Sequence, residues 1–403
     1  MVDALKLLGI LALIILLIRL KWNLGLVLLL ASALTGLLFE RPLQDLGRDA
    51  LSAMIDPTTL RLVAIVLLIT FMGEILRSTL QLEGMVRSLS DLFLDRRWLL
   101  GLIPLLIGLL PMVGGAMFSA PMVEEASQGL NLSSERKTFV NYWFRHACET
   151  AFPLYPSLVV AAGLMGVSTQ ALAVSNWPLL LVVLVTGIAF GLLGIERSHA
   201  DGGERPSRRA TWLLLFKSIW PIALVLLLAL AAHVDLILAL AVTVVVLILV
   251  HRLRPRQLWG MLRKMPFGVV PIIVGAMIFQ RVLETSSAIE VASQGIAHSG
   301  IPLPIVVFAV PLAAGLLTGL AVAAFAIGFP IVLPLCPPDL IASGYSQLAY
   351  AGGFLGLLLS PVHVCLILSR TYFKASWGGV YRYLLPPALL VVIVVAAVLL
   401  IRS

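Results

Sequence analysis

The chain of 403 residues is 60% hydrophobic and 12% charged, and its mean hydropathy is +1.06. These values exclude an ordinary soluble domain, because many apolar runs are long enough to cross a bilayer. The formal net charge of +8 does not require a nucleic-acid partner, since basic residues cluster in short loops, as they do on the cytoplasmic side of membrane proteins. The composition therefore predicts an all-α polytopic membrane protein.

The first half, residues 1–195, predicts membrane spans separated by two polar segments. The segment over 40–56 carries mixed charge and predicts an interfacial helix, and the segment over 77–97 is amphipathic. In chain order, the apolar elements are spans over 3–20, 22–39 and 58–76, a hairpin over 98–130, a broken helix over 138–166 and a span over 177–195.

The hairpin prediction rests on residues 111–121, where adjacent glycines are flanked by prolines inside an apolar run. Proline removes a backbone donor and glycine loosens a helix, so freed backbone groups at membrane depth need protein, water or ligand as partners. We therefore expect a re-entrant tip that lines a transport site, with a kinked ordinary span as the alternative. The candidate residues at this tip are Gly114, Gly115, Ala116 and Ser119.

A hydrophilic linker over 196–211 marks the midpoint, and we expect it to be cytoplasmic. The second half, residues 212–403, repeats the plan of the first. Its expected elements are spans over 212–232, 236–250 and 267–283, a hairpin over 301–338, a broken helix over 346–373 and a span over 384–401.

The two halves match at a nearly constant offset, which indicates an internal repeat. The matches are Phe118 with Phe325 (325 − 118 = 207), Tyr142 with Tyr350 (350 − 142 = 208) and Pro153 with Pro361 (361 − 153 = 208). Basic loops over 197–217 and 251–264 are both expected on the cytoplasmic side. This charge pattern favours an odd number of crossings in each half, and hence two inverted repeats with about ten transmembrane helices, two re-entrant hairpins and both termini periplasmic.

Three ionisable residues lie inside the first broken helix, namely Arg145, His146 and Glu149. Glu149 follows Thr138 by eleven positions (149 − 138 = 11). That distance is about 16 Å of helix, roughly half the thickness of a hydrocarbon core of about 30 Å. Ionisable groups at this depth are costly and are functional candidates. Arg145 and Glu149 also share a helix face and can instead form a structural ion pair.

Six further candidates lie at the other breaks and turns: Pro153, Tyr155, Thr318, Gly319, Pro361 and His363. His363 matches Tyr155 in the repeat (363 − 155 = 208). A histidine inside a membrane is often a hydrogen-bonded packing residue, and this alternative stays open. The second hairpin turn is small and apolar, so any ligand there would be bound by backbone groups and helix termini.

Residues 114–125 and 141–146 resemble an uncharacterised bacterial integral-membrane family, a domain of unknown function, within the ion transporter superfamily. Relatives in that superfamily include divalent-anion/sodium symporters, TRAP large membrane subunits and gluconate permeases. The resemblance implies a scaffold domain, a mobile transport domain, a homodimer and elevator-type movement in the bacterial inner membrane. The symporters carry Ser-Asn-Thr at their hairpin tips, whereas this chain offers only Ser119 and Thr318, which argues against a di- or tricarboxylate substrate.

The expected function is secondary active transport of a small monocarboxylate-like anion, coupled to H⁺ or Na⁺ across the lipid bilayer. Arg145 would bind the anion through its planar fork, and Glu149 or His146 would carry the proton. The alternative is a cation/proton antiporter or metalloid exporter on the same fold, which acidic residues at both breaks would favour. A TRAP-like accessory subunit stays possible.

Enzyme signatures are missing from the sequence, so we expect no enzyme, and no cofactor or bound metal beyond a coupling ion. The three cysteines, Cys148, Cys336 and Cys365, have no metal-binding or disulfide spacing, which predicts buried, unreactive thiols.

Overall fold

The computed structural model describes residues 2–92, 95–109, 115–196 and 207–402. Regular structure within these residues is helical, with no strand. The helices are α1 Val2–Arg19, α2 Leu24–Leu38, α3 Leu43–Ile55, α4 Pro57–Ser78, α5 Gln81–Leu92, α6 Arg96–Ile107, α7 Ala116–Ala126, α8 Ser134–Ala147, α9 Pro156–Leu164, α10 Thr169–Ser175, α11 Trp177–Gly187, α12 Arg208–Leu226, α13 Leu236–Val250, α14 Pro255–Arg263, α15 Val269–Thr285, α16 Ala288–Ser299, α17 Leu303–Thr318, α18 Ala321–Val332, α19 Tyr345–Leu359, α20 Val364–Phe373 and α21 Trp377–Arg402.

Four helical segments in the described part of the chain are long and apolar enough to cross a membrane: Pro57–Ser78, Arg208–Ala231, Tyr345–Phe373 and Trp377–Ile401. Two bent helix pairs would raise the number to six. The chain is therefore a helical membrane protein, as its composition predicts. The expected total of about ten spans is not confirmed. Helices such as α2 and α13 have 15 residues each, about 22 Å, which is shorter than a core of about 30 Å.

The arms of the first hairpin, α6 and α7, lie side by side. At their outer ends Arg96 Nη1 donates a hydrogen bond to the Gln128 carbonyl at 3.1 Å, so the two arms run antiparallel. They have 12 and 11 residues, about 18 Å or less, which is too short for a full crossing. Residues 110–114, including the candidate Gly114, lie outside the described residues. Entry of this hairpin from one membrane face stays a prediction.

The second hairpin, α17 and α18, turns at Gly319, whose φ of +62° suits glycine because it has no Cβ. Its arms pack closely, since a Cβ on Gly328 would lie 2.8 Å from Pro311 Cα. These two residues lie at similar distances from the turn, on opposite arms, which again shows an antiparallel pair.

Both expected helix breaks lie where the prolines predict them. The first separates α8 from α9 and contains a 3₁₀ turn over Cys148–Thr150, followed by Pro153. The second separates α19 from α20 and contains Pro361. Proline cannot supply the backbone donor that a continuous helix needs, and this accounts for both breaks.

The element order and the contacts of the first half recur in the second. The return arm α7 packs on α20, and its counterpart α18 packs on α9. Tyr350 Oη donates a hydrogen bond to the Glu149 carbonyl at 2.6 Å, and Tyr142 Oη lies 3.4 Å from the Leu357 carbonyl. Both tyrosines and both acceptors differ by the same offset (350 − 142 = 208; 357 − 149 = 208). This reciprocity supports an internal repeat; its inverted orientation in a membrane stays a prediction.

The predicted boundary of the last span needs a correction. Helix α21 begins at Trp377 instead of residue 384 and continues through Pro386 and Pro387. Prolines are tolerated in membrane helices when neighbouring groups satisfy the freed carbonyls. Of the predicted linker over 196–211, residues 197–206 lie outside the described residues.

Candidate functional site

A cavity of about 770 Å³ lies where the two helix breaks and the two hairpins come together. Five of the predicted site residues line it: Arg145, His146, Glu149, Tyr155 and His363. The hairpins contribute apolar side chains, among them Phe118 and Leu320. The cavity therefore brings together residues that are more than 200 positions apart in the sequence.

Arg145 is positioned by a short chain of hydrogen bonds in the first half. Its Nη1 donates to Tyr155 Oη at 2.9 Å, and Tyr155 Oη in turn donates to the Gly108 carbonyl. Gly108 permits this approach, because a Cβ there would lie 2.4 Å from the Arg145 carbonyl oxygen. Arg145 is 2% exposed and lines the cavity. A planar group held in this way can bind a carboxylate with two parallel hydrogen bonds.

Glu149 lies in the 3₁₀ turn that opens the first break. The residue is 9% exposed, and its Oε2 is buried with no hydrogen-bond partner among the described residues. Its backbone carbonyl is bound by Tyr350 from the other half, which holds the turn in place. A buried carboxyl oxygen without a partner is costly, and such groups are often held in place by function.

His146 and His363 meet across the two halves, with their Nε2 atoms 3.0 Å apart. His146 Nδ1 lies 2.7 Å from the Tyr142 carbonyl, and His363 Nδ1 lies 2.7 Å from the Gly319 carbonyl. Cys365 completes the group, since its Sγ and one ring nitrogen of each histidine all lie within 4.8 Å of one another. All three residues are buried.

The described candidates at the first hairpin tip, Gly115, Ala116 and Ser119, do not line the cavity. Gly115 precedes α7, and the Ala116 carbonyl accepts a hydrogen bond from Asn141 Nδ2 at 3.1 Å. Ser119 is buried and its hydroxyl donates to the Ala116 carbonyl at 3.3 Å, so it is turned toward its own helix. It is the neighbouring Phe118 that faces the cavity.

The remaining candidates, Thr318, Gly319, Pro153 and Pro361, do not line the cavity. Thr318 Oγ1 donates to the Ala314 carbonyl at 2.8 Å within its helix, and Gly319 provides the carbonyl that orients His363. Pro153 is buried and Pro361 is exposed, and neither lines the cavity. Both prolines therefore act on the site only through the helix breaks.

Several lining residues were missed by the sequence analysis. Three cations line the cavity: Arg77, Arg145 and Lys264. Two carboxylates line it: Glu74 and Glu149. Arg77 is paired with Glu74 at 2.7 Å, and among the described lining residues the cations exceed the carboxylates by one (3 − 2 = 1). Arg77 and Lys264 were not among the predicted site residues, and no sequence signal placed them beside Arg145.

Three of the described helices, α9, α18 and α20, have their N-termini at the cavity. None of the residues that precede them, Tyr155, Leu320 and His363, caps its helix with a side-chain hydrogen bond. Uncapped N-termini present backbone N–H donors and a positive dipole end, and both favour an anion.

The family model described as "Protein of unknown function (DUF401)" matches residues 2–402 of the chain. The chain therefore belongs to this family, and the expected resemblance to an uncharacterised family is confirmed. A comparison with curated proteins finds no match.

Proposed function

We propose that this member of the DUF401 family is a secondary active transporter that moves a small monocarboxylate-like anion, coupled to H⁺ or Na⁺. The observation that carries this proposal is the cavity in which Arg145 lies between two helix breaks and two hairpins. Broken helices whose termini face a shared cavity are the usual way in which transporters bind ions within the bilayer.

The charge of the cavity favours an anion with a single negative charge. The described residues that line the cavity include three cations and two carboxylates, a surplus of one positive charge, and three uncapped helix N-termini add to the positive potential. A carboxylate that leaves water needs charge-assisted hydrogen bonds, which a guanidinium supplies.

The apolar walls of the cavity restrict the rest of the substrate. Phe118, Leu320 and Val322 line it, and neither a hydroxyl-rich sugar acid nor a second carboxylate would find partners on these side chains. A short apolar tail fits them better, because burial of its methylene groups is favourable by about 0.8 kcal/mol each.

Coupling and movement are part of the same proposal. Glu149 is the preferred proton carrier because its Oε2 has no hydrogen-bond partner among the described residues. Carbonyls freed at the breaks are the preferred ligands if the coupling ion is Na⁺. Membership of the ion transporter superfamily, elevator-type movement, a homodimer and location in the inner membrane are proposed from the sequence resemblance.

Ligand binding to the purified full-length chain in detergent tests the proposal. Thermal unfolding is followed with acetate, lactate, butyrate and succinate, with and without Na⁺ and at two pH values. A ligand at a hundred times its Kd stabilises by about 2.7 kcal/mol, so a monocarboxylate should raise the unfolding temperature measurably. Uptake of the best ligand into proteoliposomes then identifies the driving gradient. Stabilisation by succinate alone would contradict a monocarboxylate substrate.

The substitution Arg145→Lys sharpens this test because lysine retains the charge but not the two-pronged hydrogen bonding. We expect the KM of uptake to rise about tenfold, the equivalent of about 1.4 kcal/mol of binding free energy. The matched control is Arg136→Lys, which changes an arginine of the same helix that does not line the cavity. Equal KM values for both variants would exclude Arg145 as the anion ligand.

One observation favours the alternative, a cation/proton antiporter or metalloid exporter. Two imidazoles and a thiol face the same cavity, and these ligands suit soft cations and metalloids. The ligand screen distinguishes the two, because stabilisation by arsenite or a soft cation, with none by carboxylates, would favour the exporter.

A further inference from the structure

The two backbone carbonyls beside the histidine pair determine which ring nitrogens carry hydrogen. A carbonyl oxygen can only accept, so His146 Nδ1, 2.7 Å from the Tyr142 carbonyl, must donate. The same holds for His363 Nδ1, 2.7 Å from the Gly319 carbonyl. In a neutral imidazole with hydrogen on Nδ1, Nε2 is a lone-pair acceptor.

The two Nε2 atoms therefore face each other at 3.0 Å with a lone pair on each. Two acceptors at this distance repel unless a positive centre lies between or beside them. A proton can serve, if one ring becomes an imidazolium, or a metal ion can bind both lone pairs. The third member of the group decides between them.

Cys365 supplies a third donor atom to the group, with its Sγ within 4.8 Å of one ring nitrogen of each histidine. The thiol can donate its single S–H to only one of the two lone pairs, whereas a metal ion can bind both lone pairs and the thiolate together. We propose that His146 Nε2, His363 Nε2 and Cys365 Sγ bind a thiophilic transition-metal ion, with Zn²⁺ as the best fit. Imidazole and thiolate together are the ligands that Zn²⁺ prefers.

The distances suit such an ion with small adjustments. Zn–N bonds of about 2.0–2.1 Å across a 3.0 Å gap correspond to an N–Zn–N angle of about 95°, and side-chain movements on the order of 1 Å bring all three ligands to tetrahedral positions. Each ring already donates its other nitrogen to a backbone carbonyl, the outer contact that metal-bound histidines usually make.

All three ligand residues line the cavity, which gives a fourth ligand a route to the ion. The site therefore resembles three-ligand zinc centres that leave one position open. Its ligands come from α8 and from the first residues of α20 with the residue that precedes it, so a bound ion would join the two halves of the chain. This inference does not depend on which solute the cavity transports.

Cobalt(II) binding to the purified full-length chain in detergent provides the test, after treatment with a chelator. We expect one Co²⁺ per chain, the visible bands of a tetrahedral site, a thiolate-to-cobalt charge-transfer band in the near ultraviolet, and displacement of both by Zn²⁺. The wild-type spectrum is decisive without any variant. A spectrum with no thiolate band would overturn the proposal and leave the histidines sharing a proton.

Matched variants locate the site. Cys365→Ser should remove the charge-transfer band, whereas Cys336→Ser, which changes a cysteine outside the cavity lining, should leave it intact. His363→Gln should weaken Co²⁺ binding at least tenfold, and His233→Gln should not. Thermal unfolding with and without Zn²⁺ gives a second readout, since only chains with the intact site should be stabilised. An unchanged band in Cys365→Ser would place the metal elsewhere and refute the assignment.

Discussion

The two broken helices share a backbone plan but differ in what they carry at matching positions. Arg145 and Glu149 in the first correspond to Gly353 and Leu357 in the second (353 − 145 = 208; 357 − 149 = 208). The charged residues that precede a break are therefore confined to the first copy, while the matching positions of the second copy carry a glycine and a leucine. A repeat that keeps its geometry can thus assign ion chemistry to one copy and packing to the other.

The second broken helix carries small residues because a neighbouring helix packs closely against it. Helix α19 packs on α17 through glycines, and a Cβ on Gly356 would lie 2.2 Å from the Leu312 carbonyl oxygen. No side chain larger than hydrogen fits there. After the breaks, the candidate metal ligands lie in the second half. Its His363 and Cys365 correspond to Tyr155 and Ser157 of the first half (365 − 157 = 208).

The largest effect that would sharpen this comparison is expected for Glu149→Gln. Glutamine keeps the shape but cannot carry a proton, so uptake driven by a pH gradient should fall at least tenfold while the protein still reaches the membrane. Proteoliposome uptake over a range of pH values measures this. Glu125→Gln, an exposed carboxylate on α7 outside the cavity lining, is the control. If Glu149→Gln transports at an unchanged rate and with an unchanged pH profile, Glu149 does not carry the coupling proton, and the functional difference between the two breaks is refuted.

The packing role of the second half predicts the next largest effect. Gly356→Ala places a methyl group against a backbone carbonyl that cannot move away, and we expect a loss of about 1–3 kcal/mol or more. Unfolding in detergent measures it. Gly260→Ala is the control, because nothing lies within 4 Å of its Cβ position.

Gly101→Ala refines the same point in the first half. Its Cβ would meet only side-chain atoms, the nearest being Leu192 Cδ1 at 3.1 Å, so we expect a smaller loss than for Gly356→Ala. If the two variants lose equal stability, the second half is no more tightly packed than the first.

The reciprocal tyrosines should differ modestly. Tyr350→Phe removes a 2.6 Å hydrogen bond to the Glu149 carbonyl and should cost about 0.5–1.5 kcal/mol. Tyr142→Phe removes longer bonds, 3.1 Å to the Leu358 carbonyl and 3.4 Å to the Leu357 carbonyl, and should cost less. Thermal unfolding of the two single variants compares them, and a larger loss for Tyr142→Phe would reverse the order.

An effect of similar size concerns the helices that precede the hairpin regions. Asp56 caps α4, and its hydrogen bonds with Thr58 lower the pKa of the carboxyl below its usual value. The corresponding helix α15 begins after Gly268 without a side-chain cap. Asp56→Ala should therefore cost about 1 kcal/mol at neutral pH.

The pH dependence of this cap follows from the sign of the shift. A lowered pKa in the folded state means that the charge stabilises the fold above the unfolded pKa of about 3.9, and that this contribution is lost as the pH falls through the folded value. The wild-type advantage over Asp56→Ala in unfolding temperature should shrink on acidification. Asp56→Asn retains an acceptor without the charge, so its stability relative to Asp56→Ala should not vary in this way.

Local patterns predicted most of the fold. Apolar runs predicted the helices, and Pro153 and Pro361 predicted the breaks. A proline interrupts a helix at its own position, because it lacks the backbone N–H that the helix needs there. The constant sequence offset between the halves is also found in the hydrogen bonds, since Tyr350 bonds the Glu149 carbonyl and Tyr142 bonds the Leu357 carbonyl. Span number and membrane orientation depend on the bilayer, and for these the chain supplies only lengths and charges.

What only the tertiary structure decided is which residues meet. By itself the sequence determined that Arg145, His146 and Glu149 share one break, since neighbours on a helix stay neighbours. It could not distinguish Cys365 from Cys336, because both stand in apolar segments without metal-binding spacing. His146 and His363 meet across 217 positions only because the two halves close around a common cavity. That closure depends on packing between distant helices, which no local pattern encodes.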